Sequence, residues 1–308
     1  MTGPSFAPRV SVVVPTRDRP DALDQCLGSL QASEHDSFEV IVVDQSAGDA
    51  SARVVARLND GRVHYMRQAG AGASRARNAG IAAARGAVIA FTDDDCTVPA
   101  QWLRQVEAAC TGPRSPGVVL GALRAALADS YERFTPSWAP RRVRRLRWSW
   151  QSAFRGEGAT ANMAARRDVC ERLGGFDELL GAGAAFRSCE DNDFCERALR
   201  EGFAVLEDPR IEVLHWGARS RLDGAADGLR FDYSRGYGAM LAKHARCGDA
   251  LAAYRLASLI VTQTPLGLID VLSGGGAYTL RRLWNNLQGA AAGLGQPLDR
   301  PRRTFVSR

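Results

Sequence analysis

Lysine is all but missing from this chain of 308 residues: Lys243 is the single one, and arginine supplies the rest of the 40 basic groups. Set against 34 acids they give a net charge of +6. So strong a skew to arginine follows from GC-rich coding, so the basic balance alone does not mark a nucleic-acid binder. It admits any anionic partner, whether nucleic acid, nucleotide phosphate or a membrane surface. Paired cysteines are missing too. The seven, Cys26, Cys96, Cys110, Cys170, Cys189, Cys195 and Cys247, form no CxxC unit and no metal-finger spacing, which excludes a zinc ribbon and fits free thiols in a reducing compartment. The opening MTGPSFAPRVSVVVP has no charged region followed by an apolar one, so no signal peptide is expected. No run reaches the roughly 20 apolar residues of a membrane span. Internal repeats and low-complexity tracts are absent as well, and a cytoplasmic globular protein is expected.

What is present is an alternation of strands and helices. Val10 to Val14 is a β-branched run stopped by Pro15, and Asp21 to Ala32 carries Leu23, Leu27 and Leu30 at helical spacing. Phe38 to Val43, Val63 to Met66 and Ala87 to Phe91 predict three more strands. The helices between them carry Val54, Val55 and Leu58, and then the alanine-rich Ser74 to Ala84. That rhythm predicts βαβ units and a mainly parallel sheet. Beyond residue 110 it loosens. Gly117 to Ala122, Ala159 to Ala165, Phe203 to Leu206 and Ile211 to His215 predict strands, and Asp191 to Arg200 a helix. From about Gly224 the pattern is helical. Its apolar stretches, Ala253 to Val261 and Leu266 to Leu272, are read as packing on the preceding α/β domain, with a membrane interface as the alternative.

Open α/β sheets bind ligands beyond the carboxyl ends of their strands. Acidic residues stand at or near three such ends: Asp18, Asp44 and the run Asp93-Asp94-Asp95. Three adjacent carboxylates need a cation or ordered donors, and Mg²⁺ or Mn²⁺, which share their coordination with substrate phosphates, answer that need. The plainer alternative is a cap, with Asp95 to Val98 opening a helix over Pro99 to Ala109, a role that one aspartate would fill. Gly70-Ala71-Gly72 suggests a dinucleotide fingerprint, but Arg75 stands where its third glycine belongs.

VSVVVPTRDRPDALDQCLGSL, FEVIVVDQS and GASRARNAGIAAARGAVIAFTDDDCTVPAQWL, followed by ANMAARRDVCERLGGFDELLG and CEDNDFCERALREGF, together resemble the family 2 glycosyltransferases over residues 9–216. The resemblance implies the GT-A fold: α/β, a Rossmann-like mixed, mainly parallel sheet flanked by helices, here with a helical C-terminal extension. It implies a donor pocket from Pro15, Thr16 and Arg17 at the first strand end and Asp44 and Gln45 at the second. Many members carry a second acid where Gln45 stands, so the nucleobase stays open among uracil, thymine and guanine. Arg77-Asn78 matches the family's Arg-Asn pair, with each arginine of the helix, Arg75 included, alternatively a solvated residue. Asp93 and Asp95 match the outer positions of the Asp-x-Asp: Asp95 is the expected metal ligand, with Asp93 and Asp94 nearer the ribose and diphosphate. His215 falls where some GT-A enzymes carry a metal-binding histidine, a core or surface role being the alternative, and Trp216 is a candidate for stacking on a sugar or else fills the core.

An inverting transfer also needs a carboxylate to take the acceptor's proton. Asp191, then Glu190, match the family's Glu-Asp pair; acids there also suit a helix's first turn. The arginines from Arg141 to Arg147, between Trp138 and Trp150, are either a solvated loop or a lid on the acceptor side. The expectation is therefore a metal-assisted (Mg²⁺ or Mn²⁺) inverting glycosyltransferase. It would act from a UDP, dTDP or GDP sugar on a sugar, lipid-linked or small-molecule hydroxyl, with peripheral contact at the inner membrane face admitted and no nucleic-acid partner. Residues 1–222 form the catalytic domain (donor half about 9–123, acceptor half about 124–222), and 223–308 the helical extension. Two alternatives stand beside it. A sugar-phosphate nucleotidyltransferase would have a glycine-rich loop where Pro15 to Pro20 stands, and a non-catalytic nucleotide or nucleic-acid binder has only the charge in its favour.

Overall fold

The computed structural model describes residues 7–150, 158–222, 225–274 and 277–307. They fall into two compact units: one built from residues up to 71, 75–175 and 195–219, the other from 72–74, 176–194 and 220 onward.

The first unit is organised by strands β1 (Val10–Thr16), β2 (Phe38–Asp44), β3 (Val63–Arg67) and β4 (Val88–Phe91), parallel in the order 3-2-1-4. β1 is buried on both faces, as a β-branched run of this kind requires. Its register sets Thr16 opposite Asp44, and Val13 opposite Phe91. The carboxyl ends of β1, β2 and β4 therefore open on one edge. Helices α1 (Pro20–Gln31), α2 (Ala50–Leu58) and α3 (Ala73–Ala83) connect these strands, α1 burying Leu23, Cys26, Leu27 and Leu30.

Beyond β4 the sheet becomes mixed. β5 (Cys96–Thr97) and α4 (Trp102–Cys110) lead to β6 (Val118–Ala125); the short strands β7 (Arg133–Phe134) and β8 (Arg144–Leu146) precede β9 (Met163–Arg166), α5 (Arg167–Leu173), α6 (Glu190–Arg200) and β10 (Val205–His215). Among the described residues nine strands share one sheet, running β3-β2-β1-β4-β9-β6-β10-β5 with β8 on β10. The two short strands expected around residues 203–215 are one, bulged between Asp208 and Glu212. The wholly buried Asn162 bridges that irregularity, donating to the carbonyls of Ala122 (2.7 Å) and Ile211 (2.9 Å) and accepting from the Trp102 indole at 3.0 Å. The cap reading of Asp95 to Val98 also fails: Cys96–Thr97 pair with β10, and the helix begins only at Trp102. Arg144–Leu146, expected in an irregular segment, pair with β10; the residues after Trp150, to 157, lie outside those described.

The second unit carries α7 (Ala225–Arg246), α8 (Ala250–Leu272) and α9 (Tyr278–Gly295). α7 and α9 meet backbone to backbone. A Cβ on Gly238 would lie 1.9 Å from the Asn286 carbonyl oxygen, and one on Gly289 1.9 Å from that of Arg235, so glycine is required at both. The two apolar stretches read separately in the sequence are one helix, α8, which runs through Pro265. It packs along one flank, where Gly267 is buried against Leu280 of α9; much of its remaining apolar surface is exposed, and it is long and apolar enough to cross a membrane by length and composition alone. The polar Thr262-Gln263-Thr264 hides that continuity in the sequence.

The one lysine lies at the centre of this unit. Lys243 is wholly buried, its Nζ 2.6 Å from both Asp177 Oδ2 and Asp193 Oδ1. His244 lies 2.9 Å from Asp193, and the Phe305 amide donates to Asp177 at 2.8 Å. Removing one partner of a buried ion cluster strands the remaining charges, at a cost of about 3–5 kcal/mol. Lys243→Met is therefore expected to lower the urea midpoint of this unit by that equivalent; an unchanged midpoint would show that the cluster holds nothing together.

Candidate functional site

The site is built on the edge where β1, β2 and β4 end. β1 delivers Thr16, whose hydroxyl donates to Asp94 Oδ2 at 2.7 Å. The loop that follows turns sharply, with Asp18 in the left-handed region at φ 55°. It brings Arg19 across both acids, Nη2 to Asp94 at 2.8 Å and Nη1 to Asp95 at 2.7 Å. From α3, the buried Arg77 reaches Asp93 at 2.8 Å. β5 pairs Cys96 with His215 of β10, so the His215 Nε2 comes 3.4 Å from Asp95 Oδ1. Its Nδ1 faces the Pro136 carbonyl at 2.8 Å. A carbonyl can only accept, so Nδ1 carries the proton and Nε2 is the nitrogen turned to the carboxylate.

The neighbouring aspartates are driven in opposite directions. Burial pushes Asp94 up to about 6, against the pull of Arg19 and Thr16. Burial acts on Asp95 the same way, but the hydrogen bond with His215 and the Arg19 guanidinium hold it below the usual carboxylate range. Burial works against charge on His215, and the adjacent Asp95 reverses the balance and raises it. Low-dielectric surroundings magnify each of these terms. An arrangement this rich in carboxylate, with one imidazole nitrogen aimed into it, suits a cation.

The fit to a divalent metal can be tested on the donor atoms. Asp95, Cys96 and His215 offer ligand atoms within 4.8 Å of one another. Burial and the surrounding aspartates push the Cys96 thiol far up, and hard ions such as Mg²⁺ and Mn²⁺ prefer oxygen and imidazole donors to sulfur. Carboxylate oxygen and imidazole nitrogen remain. Space beside them is kept by Gly217, where a Cβ would lie 2.5 Å from Asp95 Oδ2 and 2.6 Å from His215 Nε2. The residues present fit a six-coordinate divalent ion that retains other ligands.

Other expected site residues are distributed around this centre. Asp44 is wholly buried and accepts from the Tyr65 hydroxyl at 2.8 Å and the Ser46 amide at 2.8 Å. Gln45 donates to Gln68 Oε1 at 2.8 Å. Pro15 stands beside Thr16 in β1. Arg17 turns outward and meets Asp18 at 3.6 Å; Arg19, two residues on, is the arginine that reaches the aspartates. Sequence reasoning missed it, although TRDRP offers two arginines and only the shape of the turn separates them. Asn78 sits against the Gly175 turn, where a Cβ would come 2.4 Å from its Oδ1. Trp216 is partly exposed, its indole held to Thr97 at 2.9 Å. This removes the core-filling alternative.

Glu190 and Asp191 open α6 and belong to the second unit. Both are half-buried, and Asp191 Oδ1 accepts from the Asn192 amide at 2.7 Å. Two non-glycine residues just before them, Arg187 and Cys189, take left-handed backbone at φ 57° and 68°. Strain of this kind persists where the surroundings enforce it, and it clusters at functional segments.

The mixed sheet with its 3-2-1-4 parallel core is that of the GT-A fold, which the solved structures below share. The model of glycosyl transferase family 2 matches residues 11–174, more than half of the chain, which therefore belongs to that family. Among curated relatives, validoxylamine A glucosyltransferase of Streptomyces hygroscopicus subsp. limoneus is 34% identical over 157 residues, 47% of this chain and 35% of that protein. Glycosyltransferase AglE of Haloferax volcanii is 25% identical over 212 residues, 65% of this chain and 64% of that one. The chain thus spans from about a third to just under two thirds of the length of these relatives. Among solved structures, the mannosyltransferase PcManGT from Pyrobaculum calidifontis, in complex with GDP-Man and Mn²⁺, superposes with a TM-score of 0.58 at 19% identity, covering 94% of this chain and 88% of that one. S. aureus TarS 1-349 with UDP-GlcNAc gives 0.56 at 18%, covering 76% and 65%. The family is one of glycosyl transferases, and the two curated relatives are named as glycosyltransferases.

Gly217→Ala fills the space beside Asp95 and His215 without touching the core. It is expected to weaken Mn²⁺-dependent binding of a nucleoside diphosphate by about tenfold, or ~1.4 kcal/mol, with an unchanged circular dichroism spectrum. Undiminished affinity would mean that the space beside Asp95 is not used.

Proposed function

We propose that the enzyme transfers a sugar from a nucleoside-diphosphate sugar to a hydroxyl acceptor with inversion at the anomeric carbon, assisted by a divalent ion. The observation that carries this reading is the convergence of Asp93, Asp94, Asp95, Arg19 and His215 at the carboxyl edge of β1, β2 and β4. Asp95 and His215, with Asp93, would hold the ion. Magnesium prefers an all-oxygen shell, so the imidazole favours manganese. The bound ion would act as a Lewis acid on the diphosphate leaving group.

The protein's own side chains supply the rest. Arg77, charged and fixed on Asp93, directs positive charge to the donor diphosphate. Thr16 orients Asp94, which with Asp93 faces the ribose. Pro15, Thr16, Arg17, Asp44, Gln45 and Asn78 shape the donor pocket. Base recognition is assigned to Asp44 and Gln45 together, each also held within the protein, Asp44 by Tyr65 and Ser46 and Gln45 by Gln68; the Gln45 side chain is an amide that both donates and accepts. That amide suits UDP, dTDP and GDP alike, and the donors of the two structural neighbours differ in the same way. Asp191, seconded by Glu190, accepts the acceptor's proton. A carboxylate is already ionised at neutral pH, so the role requires position and no large shift in acidity.

We assign the catalytic domain to residues 1–222 and the helical extension to 223–308, at work on the cytoplasmic side. The acceptor, whether sugar, lipid-linked or small molecule, is a hydroxyl compound. Nucleoside diphosphate release from UDP, dTDP and GDP sugars with Mn²⁺ tests the scheme. Asp191→Asn should cut transfer by about 10²–10⁴-fold while donor binding survives, and Asp95→Ala should lose both. Normal turnover in Asp191→Asn would remove it as the base.

A further inference from the structure

Water is a poor neighbour for one face of α8. Tyr254, Val261, Leu268 and Leu272 follow one another at steps of seven, seven and four residues, which stacks them along one side of a helix. Val261 is 73% and Leu272 86% exposed, and Ile260, Leu266, Ile269 and Val271 widen the strip. The opposite side is occupied: Gly267 is buried against Leu280 of α9, whose side chain a Cβ would strike at 2.5 Å. α8 is therefore held to the second unit along one flank and open along the other. Contiguous apolar surface on this scale marks a docking face.

The charges beside it say what docks. The Gly267–Leu280 contact puts the first turns of α9 next to the exposed end of α8, and there stand Arg281, Arg282 and Trp284, all exposed. Among the described residues neither Arg281 nor Arg282 makes an ion pair. Arg282 and, from α7, Arg230 lie about the Tyr278 ring at 6.0 and 5.9 Å. α8 and α9 together hold three arginines, Arg255 included, against one acid, Asp270, and that acid is bonded to the Thr279 hydroxyl. An apolar strip rimmed by unneutralised arginine, with Trp and Tyr at its margins, is the composition of a helix lying in an anionic bilayer surface. A second copy of the chain would instead bring like charges together along the joint.

We infer that α8 docks this protein on an anionic lipid surface, the helix lying in the plane of the interface with its Val261–Leu268–Leu272 side in the acyl region and Arg281 and Arg282 at the phosphates. Docking is independent of the transfer chemistry and is tested without it. Purified full-length protein is sedimented with phosphatidylcholine vesicles alone or containing about a third phosphatidylglycerol. At least about tenfold preference for the anionic vesicles is expected, weakened when salt is raised to about half molar and released by alkaline carbonate. Val261→Glu with Leu268→Glu should abolish binding, and Arg281→Gln with Arg282→Gln should remove the anionic preference, both with unchanged thermal unfolding. Equal binding to neutral vesicles, retention through the carbonate wash (a spanning helix), or no vesicle binding with a doubled light-scattering mass lost in Val261→Glu/Leu268→Glu (a second copy) would each overturn the inference.

Discussion

Carboxylates as close as Asp93, Asp94 and Asp95 repel one another, and the elements around β4 are arranged to relieve that repulsion. β1 contributes the Thr16 hydroxyl, the loop before α1 contributes Arg19, α3 contributes Arg77, and β10 contributes His215. Each comes from a different part of the chain, so the cluster persists only if the sheet is correctly assembled. The parallel register of β1 with β2 and β4 is the precondition, because slipping it by one residue would turn every alternate side chain to the other face. The same crowding is what the proposed divalent ion would relieve. Burial and neighbouring charge drive Asp94 and Asp95 in opposite directions; such divergence is typical of sites that handle charge.

The parallel half of the fold was legible because buried strands of Val and Ile interleaved with leucine-spaced helices have few alternative arrangements. VSVVVP and FEVIVVD could hardly be anything but central strands. The second half was less so. Phe203 to His215 looks like two strands because Asp208, Pro209 and Arg210 interrupt the apolar run. The chain instead absorbs them in a bulge that Asn162 closes from another element. A helix cap stays open as the lesser reading of Asp95 to Val98 until Cys96 pairs with His215, a contact between residues more than a hundred positions apart. Arg19 was hidden for the same reason: periodicity does not report where a loop turns, and a left-handed Asp18 decides which of two arginines faces the acids. α8 was legible only in part: its composition left packing and a membrane interface both open, because exposure is a property of the neighbours, and these cover only one flank.

The second unit shows what the scarcity of lysine conceals. The single ammonium is spent on a wholly buried cluster joining α7, the C-terminal segment at Phe305 and the first turns of α6. Asp193 lies two residues after Asp191 on that helix. A buried, hydrogen-bonded ion cluster gives rigidity more than net stability, and this one fixes the helix whose first turn carries Glu190 and Asp191. The backbone contacts at Gly238 and Gly289 serve the same purpose for α7.

Whether a divalent ion joins Asp95 and His215 to a nucleotide is the hinge of this account. Calorimetric titration of the wild-type enzyme with UDP, dTDP and GDP, each with Mn²⁺ and again with a chelator, addresses it directly. At least one nucleotide should bind more than about tenfold tighter with the ion, a coupling of ~1.4 kcal/mol or greater. Affinities identical in manganese and chelator would contradict it.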